Sequence, residues 1–298
     1  MAEILDRAVV FADGRDWHVR GLIAGFERRG VPADIVPLER VGFRTGAGGD
    51  PIRIPGYDGR LPRAAFVRTI SGGSFEAVTV RLGVLHGLAA AGVTVWNRPR
   101  AIEACVDKSM TSLLVARAGL PTPETWVTED AAAAAAVLAE AGGPLVLKPL
   151  FGAQGKGLRL IETAADLPGP EGVAGVYYLQ RFVAAPGGFR DYRVFVSGGA
   201  VVAGMRRHGE TWITNVHQGG RPEAWTPDRR AADLALAATE VVGADVAGVD
   251  LVEAAGGSYL VLEVNSMPAW SGLQSVASVD IADRVAGDLA RAAFGVGG

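Results

Sequence analysis

Short apolar runs alternate with longer helix-like patterns through the first hundred residues, and this alternation restricts the fold more than any other feature of the chain. Ala8-Val-Val-Phe11 leads into the helical pattern Val19 to Arg29 and then Ala33-Asp-Ile-Val36; Ala64-Ala-Phe-Val67 leads into Phe75 to Ala90 and then Val93-Thr-Val-Trp96. Strands separated by helix-length crossovers pair in parallel, so residues 1–102 are expected to form a small parallel α/β domain. Between its halves, Gly42 to Arg60 is rich in Gly, Pro and Asp and reads as a loop or mobile insert, a lid or mere decoration.

A different order begins near Pro99. Asp107 to Gly119 has helical spacing and a terminal glycine, and prolines stop it. Thr125-Trp-Val127, an Ala-rich helix, Leu145-Val-Leu-Lys148, a glycine-rich loop, Leu158-Arg-Leu-Ile161 and Val176 to Val183 follow. Tyr192 to Val196 and Ala200 to Met205 pair as a hairpin across Ser197-Gly-Gly199. Arg229 to Val242 reads as a helix, and Val249-Asp-Leu-Val252 and Tyr259 to Asn265 read as the last strands. A chain of 298 residues supports two or three lobes.

Charge and cysteine usage exclude several classes. A net charge of -3 and a pI near 5.9 give no electrostatic case for a nucleic-acid partner. No apolar run is long enough for a membrane span, since Ala131 to Ala136 is short and flanked by charge. The single Cys105 allows no internal disulfide, and Met1 to Asp6 lacks the regions of a signal peptide, so a cytoplasmic location is expected.

Of 29 basic residues only Lys108, Lys148 and Lys156 are lysine. In so Arg-biased a chain, lysine is expected where a compact ammonium serves better than a planar guanidinium, as in point-charge binding of phosphate, unless the three are chance survivors of that bias. Lys156 lies in Phe151-Gly-Ala-Gln-Gly-Lys-Gly157, which lacks Walker spacing and precedes a strand rather than a helix. It reads as a strand, loop, strand lid whose amides can close over phosphates, or as an ordinary hairpin turn.

Near the end of the chain, Glu263 and Asn265 are two apart and share one face of a strand. Asp250 lies in the preceding strand-like run and can sit beside them in an antiparallel pair. Two carboxylates and an amide oxygen make a hard-oxygen set suited to Mg2+; the alternative is a polar strand end with unpaired acids.

Taken together, Asp107-Lys108, Val146-Leu-Lys148, the glycine loop, Leu179-Gln-Arg-Phe-Val183, Asp191-Tyr-Arg193, Met205-Arg-Arg207, Thr214-Asn215, Gly219-Gly220, Gly248-Val-Asp250 and Glu263-Val-Asn265-x-x-Pro268 form an ordered series. From Asp107 to near Arg284 this series resembles the ATP-grasp superfamily, most closely its RimK-like amide ligases. The resemblance implies an α/β fold with α+β lobes: the N-terminal domain over 1–102 on the acceptor side, a small central lid subdomain over 103–178, and a C-terminal mixed-sheet subdomain with the metal site over 179–298.

Site roles are implied in the same way. Lys108 and Lys148 would contact the phosphates of ATP beneath Gly152, Gln154, Gly155, Lys156 and Gly157. The backbone at Gln180, Arg181, Phe182 and Val183 would read adenine, and Asp191 the ribose. Asp250, Glu263 and Asn265 would bind two Mg2+, with Mn2+ as an alternative, and Arg193, Arg206 and Asn215 would line the acyl-phosphate pocket. Three departures stand out: Arg181 where many relatives carry Glu, no arginine two residues before Asn215, and the bulky Ser266 to Trp270, where Trp270 either shapes the acceptor pocket or packs in the core.

The reaction implied is ATP-dependent: a carboxylate takes the γ-phosphate, and an amine then displaces phosphate to give an amide and ADP. Positioning and charge neutralisation suffice for this, with no covalent enzyme intermediate. Cys105 then reads as a small core residue, and His217 is a candidate for taking a proton from the amine. Arg68, Ser71 and Ser74 mark a strand-to-helix turn able to receive an anion, with a plain helix cap at Ser74 as the alternative. Phe66 to Phe75 and Trp96 to Glu103 resemble ligases that add L-glutamate to tetrahydromethanopterin or related coenzymes. A small carboxylate-bearing acceptor, an amino acid and a homodimer or tetramer are therefore expected. Modification of a protein terminus, joining of other amino acids, and a non-catalytic ATP-binding module stay open.

Overall fold

The computed structural model describes residues 3–46, 51–152 and 154–296. The first alternation folds as β1 (Ile4–Phe11), α1 (Trp17–Glu27), β2 (Ala33–Val36), the short β3 (Gly42–Phe43) and β4 (Ile52–Arg53), β5 (Leu61–Val67), α2 (Phe75–Ala90) and β6 (Thr94–Trp96). The four longer strands form a parallel sheet in the order β2-β1-β5-β6. The helices start where side chains satisfy their free N–H groups: Asp16 Oδ1 accepts from Val19 N at 2.8 Å and Ser74 Oγ from Ala77 N at 3.3 Å. The segment expected as a loop from Gly42 to Arg60 instead contains the antiparallel β3–β4 pair; its residues 47–50 lie outside the described ones. Its apolar residues explain the difference, because Ile52, Ile54 and Tyr57 are buried in the same cluster as Leu85 and Leu88 of α2.

The next stretch gives α3 (Pro99–Val106), α4 (Lys108–Arg117), β7 (Thr125–Thr128), α5 (Ala131–Ala141), β8 (Leu145–Lys148), β9 (Arg159–Ile161) and β10 (Tyr177–Arg181). Asp107 separates the two helices by capping the second, accepting from Ser109 N at 2.8 Å and Met110 N at 3.2 Å, so Lys108 stands on the first turn of α4. The strands form an antiparallel sheet in the order β7-β10-β8-β9, and the chain between β8 and β9 carries the glycine loop. Ala134, Val137 and Ala141 of α5 cover Leu145, Leu147, Tyr177 and Leu179.

The remainder forms β11 (Arg190–Ser197), β12 (Ala200–His208), β13 (Arg221–Ala224), α6 (Arg229–Val241), β14 (Val246–Glu253), β15 (Tyr259–Asn265), α7 (Ser271–Gln274) and α8 (Ile281–Phe294). Its antiparallel sheet runs β13-β12-β11-β14-β15. Tyr192, Val194, Val249, Leu251, Val261 and Val264 pack with Ala231, Ala235 and Ala238 of α6 on one face. Period-two alternation therefore turns Asp191, Arg193, Asp250, Glu263 and Asn265 to the other face.

The last helix returns to the first lobe. Ile281, Ala282, Val285, Ala286 and Leu289 share a core with Leu22, Phe26, Ala64 and Trp96. The helices α1 and α8 approach so closely that a Cβ on Gly21 or Gly25 would stand 2.7 Å from that of Ala282 or Ala286. No helix among the described residues is long and apolar enough to cross a membrane.

Candidate active site

A solvent-open cleft separates the β7–β10 sheet from the β11–β15 sheet. Val146 and Lys148 of β8, Gln180 and Arg181 at the end of β10 with Phe182 and Val183 just after it, Asp191, Trp212 to Asn215, Asp250, Leu262 and Glu263 line it. A contiguous space shares Lys148, Leu158, Asn215 and Glu263 and adds Lys108, Gly152, Gln154, Gly155 and Lys156. All three lysines of the chain thus converge on one space, although 108, 148 and 156 stand on a helix, a strand and a loop.

Each ammonium has a defined setting. Lys108 Nζ donates to the carbonyls of Gly152 at 2.7 Å and Leu150 at 3.4 Å, tying α4 to the start of the glycine loop. Lys148 Nζ donates to Gln180 Oε1 at 2.7 Å, and Gln180 is itself oriented by donating to Thr125 Oγ1 and Tyr178 Oη, each at 3.2 Å. Burial lowers the Lys148 pKa to about 8; Glu263 and Asp250 oppose that fall, and Lys108 adds to it. The loop rests on the opposite wall, where a Cβ on Gly155, whose φ is +71°, would lie 2.5 Å from Asn215 Oδ1. Gln218 Nε2 also donates to Gln154 O at 3.4 Å. Ala153, within the same loop, lies outside the described residues.

At the far side of the cleft, Phe182 N donates to Pro144 O at 3.0 Å. Pro144 has no N–H to return, so the Phe182 carbonyl receives no ladder bond from it. Val183 N donates to no backbone carbonyl among the described residues. Backbone polar groups are thus left over beside the apolar Val146, Leu262 and Ile213, the combination that suits a flat heterocycle. Arg181 turns away, bonding Ala141 O and Glu124 Oε2 and covering the Trp126 ring at 5.6 Å.

The acid edge divides into a part paired with arginine and a part without side-chain partners among the described residues. Asp250 pairs opposite Glu263, and Gly248 opposite Asn265, as the two-residue spacing requires. Asp250 is 4% exposed and accepts from Arg193 Nε and Nη2, both at 2.7 Å, while Arg207 Nη2 lies 3.0 Å from its Oδ2. Burial pulls its pKa up, but the two guanidiniums outweigh it and hold the carboxyl below the usual range. Arg207, 2% exposed, also takes both oxygens of Asp191, so Asp191 stands in the cleft wall with its carboxylate engaged. Glu263 and Asn265 have no side-chain hydrogen bond or ion pair among the described residues. This donor set fits a hard cation: free oxygens on Glu263 and Asn265, with Asp250 beside them but already shared with two arginines.

The structure does not bring Arg206 to this site. Arg206 pairs opposite Tyr192, on the sheet face away from Asp250, and bonds Glu223 at 2.8 Å. Arg207, one residue on, lies on the face that carries Asp191 and Asp250. Strand parity explains the difference and, once the Asp191↔Arg207 register is known, would have selected the second arginine of Met205-Arg-Arg207. Trp270 is 1% exposed and packs edge-on against His18 and Phe195, in the core. Cys105 is buried, and burial pushes its thiol up to about 12, which suits an inert core residue.

Residues 105–289 match the RimK-like ATP-grasp domain. The chain belongs to that family. It is 40% identical over 200 residues to the tetrahydromethanopterin:alpha-L-glutamate ligase of Methanococcus maripaludis, covering 65% of this chain and 68% of the relative. The protein of the same name from Methanosarcina acetivorans is 30% identical over 311 residues, covering 89% of this chain and 92% of the relative. Among solved structures, the ATP-grasp ligase PsnB complexed with minimal precursor, Mg and ADP superposes with a TM-score of 0.72 at 26% identity, covering 95% of this chain and 97% of that one. The chain is accordingly an ATP-grasp ligase with this fold throughout, including the parallel N-terminal lobe.

Proposed function

We propose that the protein adds L-glutamate to a carboxylate-bearing small coenzyme through an amide bond, using ATP and Mg2+ and releasing ADP. The observation that carries this reading is the convergence of Lys108, Lys148 and Lys156 with Glu263 on one cleft. Three ammonium groups suit a polyphosphate, and an unpartnered carboxylate among them suits the cation that accompanies it. The substrate class follows from the relatives named tetrahydromethanopterin:alpha-L-glutamate ligase.

In this mechanism an acceptor carboxylate oxygen bonds to the γ-phosphorus as ADP departs, and the amino nitrogen then attacks the acyl carbon and releases phosphate. Lys108 and Lys148 hold the phosphates, with Gly152, Gln154, Gly155 and Lys156 of the loop against them. The backbone at Phe182 and Val183 takes the adenine edge. Glu263 and Asn265 hold Mg2+, which neutralises phosphate charge when bound, with Asp250 as the adjacent carboxylate. Two ions are expected, as is Mn2+ in place of Mg2+. Arg193 stands where charge develops during transfer, and Asn215 forms the wall beneath the loop.

ADP release by the purified protein with ATP, Mg2+, L-glutamate and a panel of carboxylate-bearing coenzymes tests the proposal, with product mass as a second readout. A coenzyme heavier by one glutamate residue is expected. Mass gain on a peptide terminus, or with a different amino acid, would replace the substrate assignment. ADP release that no carboxylate or amino acid stimulates would sink the catalytic reading.

A further inference from the structure

Three groups at the turn from β5 into α2 suit an anion, and the structure disposes of two. The Ser74 hydroxyl caps α2, and Ser71 Oγ is hydrogen-bonded to Asp13 Oδ1. Arg68 remains. It is 7% exposed, and no carboxylate lies within ion-pair distance of it among the described residues. Its Nε has no partner, and its one hydrogen bond among the described residues is long, from Nη1 to Met267 O at 3.5 Å. The guanidinium lies 5.3 Å over the Trp270 ring, whose Nε1–H also lacks a partner.

Burying a cation without an acid is costly. The arginines of the acid edge avoid that cost, buried Arg207 through Asp191 and Asp250 and half-buried Arg193 through Asp250. The nearby acid Asp16 is committed elsewhere, accepting from Val19 N and pairing with His18. The charge of Asp16 acts on Arg68 only from beyond ion-pair distance, so the guanidinium has no acid in contact and is free to receive one.

Its place suits a substrate. Arg68 follows the carboxyl end of parallel strand β5, the end at which open α/β sheets bind ligands. The loop leaving β15 links it to the acid edge: Arg68 reaches Met267 O, and Arg193 Nη1 donates to Ala269 O at 3.4 Å. Two residues of chain span at most about 7 Å, so with the contact at either end Arg68 lies no more than about 14 Å from the Arg193 guanidinium. That is the scale of a small molecule bearing one reacting group and one further carboxylate.

We infer that Arg68 is the receptor for a non-reacting carboxylate of a bound substrate, belonging either to the amino acid or to the acceptor. The inference rests on the ligase reading above and adds to it the residue that selects a second acid group.

Steady-state kinetics of wild type, Arg68→Met and Arg68→Lys with ATP, Mg2+ and the active amino acid and acceptor pair provide the test. In Arg68→Met the KM of one co-substrate should rise about tenfold or more, with kcat and the KM for ATP far less affected, and Arg68→Lys should recover part of the loss. The KM that moves tells whether the carboxylate belongs to the amino acid or to the acceptor. Loss of an uncompensated buried cation should leave the melting temperature unchanged or raised. A lowered melting temperature with both KM values unmoved would overturn the inference alone, since that is the purely structural result. Absence of carboxylate-dependent ADP release from wild type would overturn the ligase reading and this inference with it.

Discussion

Asp250 and Glu263 face each other across two strands, yet their replacement by alanine should have different consequences. Removing the Asp250 carboxylate deletes the bidentate partner of Arg193, leaving that guanidinium only Ala269 O at 3.4 Å, and takes one of two acids from Arg207. Breaking a buried ion pair from one side costs about 3–5 kcal/mol, and because Arg207 keeps Asp191 the lower end applies, about 3 kcal/mol. For a chain of this size that lowers the melting temperature by about 5–10 °C. Glu263→Ala removes a half-buried carboxylate without a hydrogen bond or ion pair, so its stability should stay within about 0.5 kcal/mol of wild type. Both should weaken Mg2+-dependent nucleotide binding. The Asp250 pKa is depressed in the folded state, so its stabilisation is complete above the ordinary value of 3.8 and disappears as pH falls through the lower folded-state value. Thermal melts at neutral and acidic pH, paired with calorimetric titration of a non-hydrolysable ATP analogue, measure both effects. Equal melting temperatures for the two variants at neutral pH would refute the division of the acid edge into a structural and an open half.

Lys148, at about 8 in the free protein, should take up a proton when a polyphosphate binds above that pH. Nucleotide Kd should therefore rise as pH climbs past 8, approaching tenfold per unit, and calorimetry in two buffers of different ionisation heat should register the uptake; a flat Kd with none would contradict the assignment. Arg206→Met should lose only a half-exposed pair with Glu223, within about 1 kcal/mol, and keep turnover. Arg207→Met should cost about 3–5 kcal/mol and impair binding, and the reverse order in melts and ADP assays would count against the strand-parity argument. Gly25→Ala should destabilise by about 1–3 kcal/mol, because its methyl would meet Ala286 Cβ at 2.7 Å and Asp283 Cα at 3.3 Å. Gly14→Ala, with nothing within 4 Å, is the control, and equal denaturant midpoints would show that the two helices are free to separate.

Much of this architecture is legible in the sequence because periodicity is local. The β1, α1, β2 and β5, α2, β6 alternation follows from runs of a few residues, and the Glu263 to Asn265 spacing with Asp250 one strand earlier fixes a shared face. What the sequence hid depends on long-range pairing. The choice between Arg206 and Arg207 needs the register of β11 on β12, which no local pattern specifies. The destination of α8 depends on Gly21 and Gly25 on a helix more than two hundred residues earlier. The full occupation of Asp250 and Asp191 by arginine likewise appears only once three strands are side by side. Arg68 was visible as a cation at a turn, but its lack of an acid partner emerges only when Ser71, Ser74 and Asp16 are seen to be engaged elsewhere.

A crystal grown with Mn2+ and a non-hydrolysable ATP analogue tests the central claim most directly. An anomalous peak between the oxygens of Glu263 and Asn265, with the phosphates against Lys108 and Lys148, is the result the geometry requires. A peak elsewhere, with the nucleotide bound outside the cleft between β8 and β15, would contradict it.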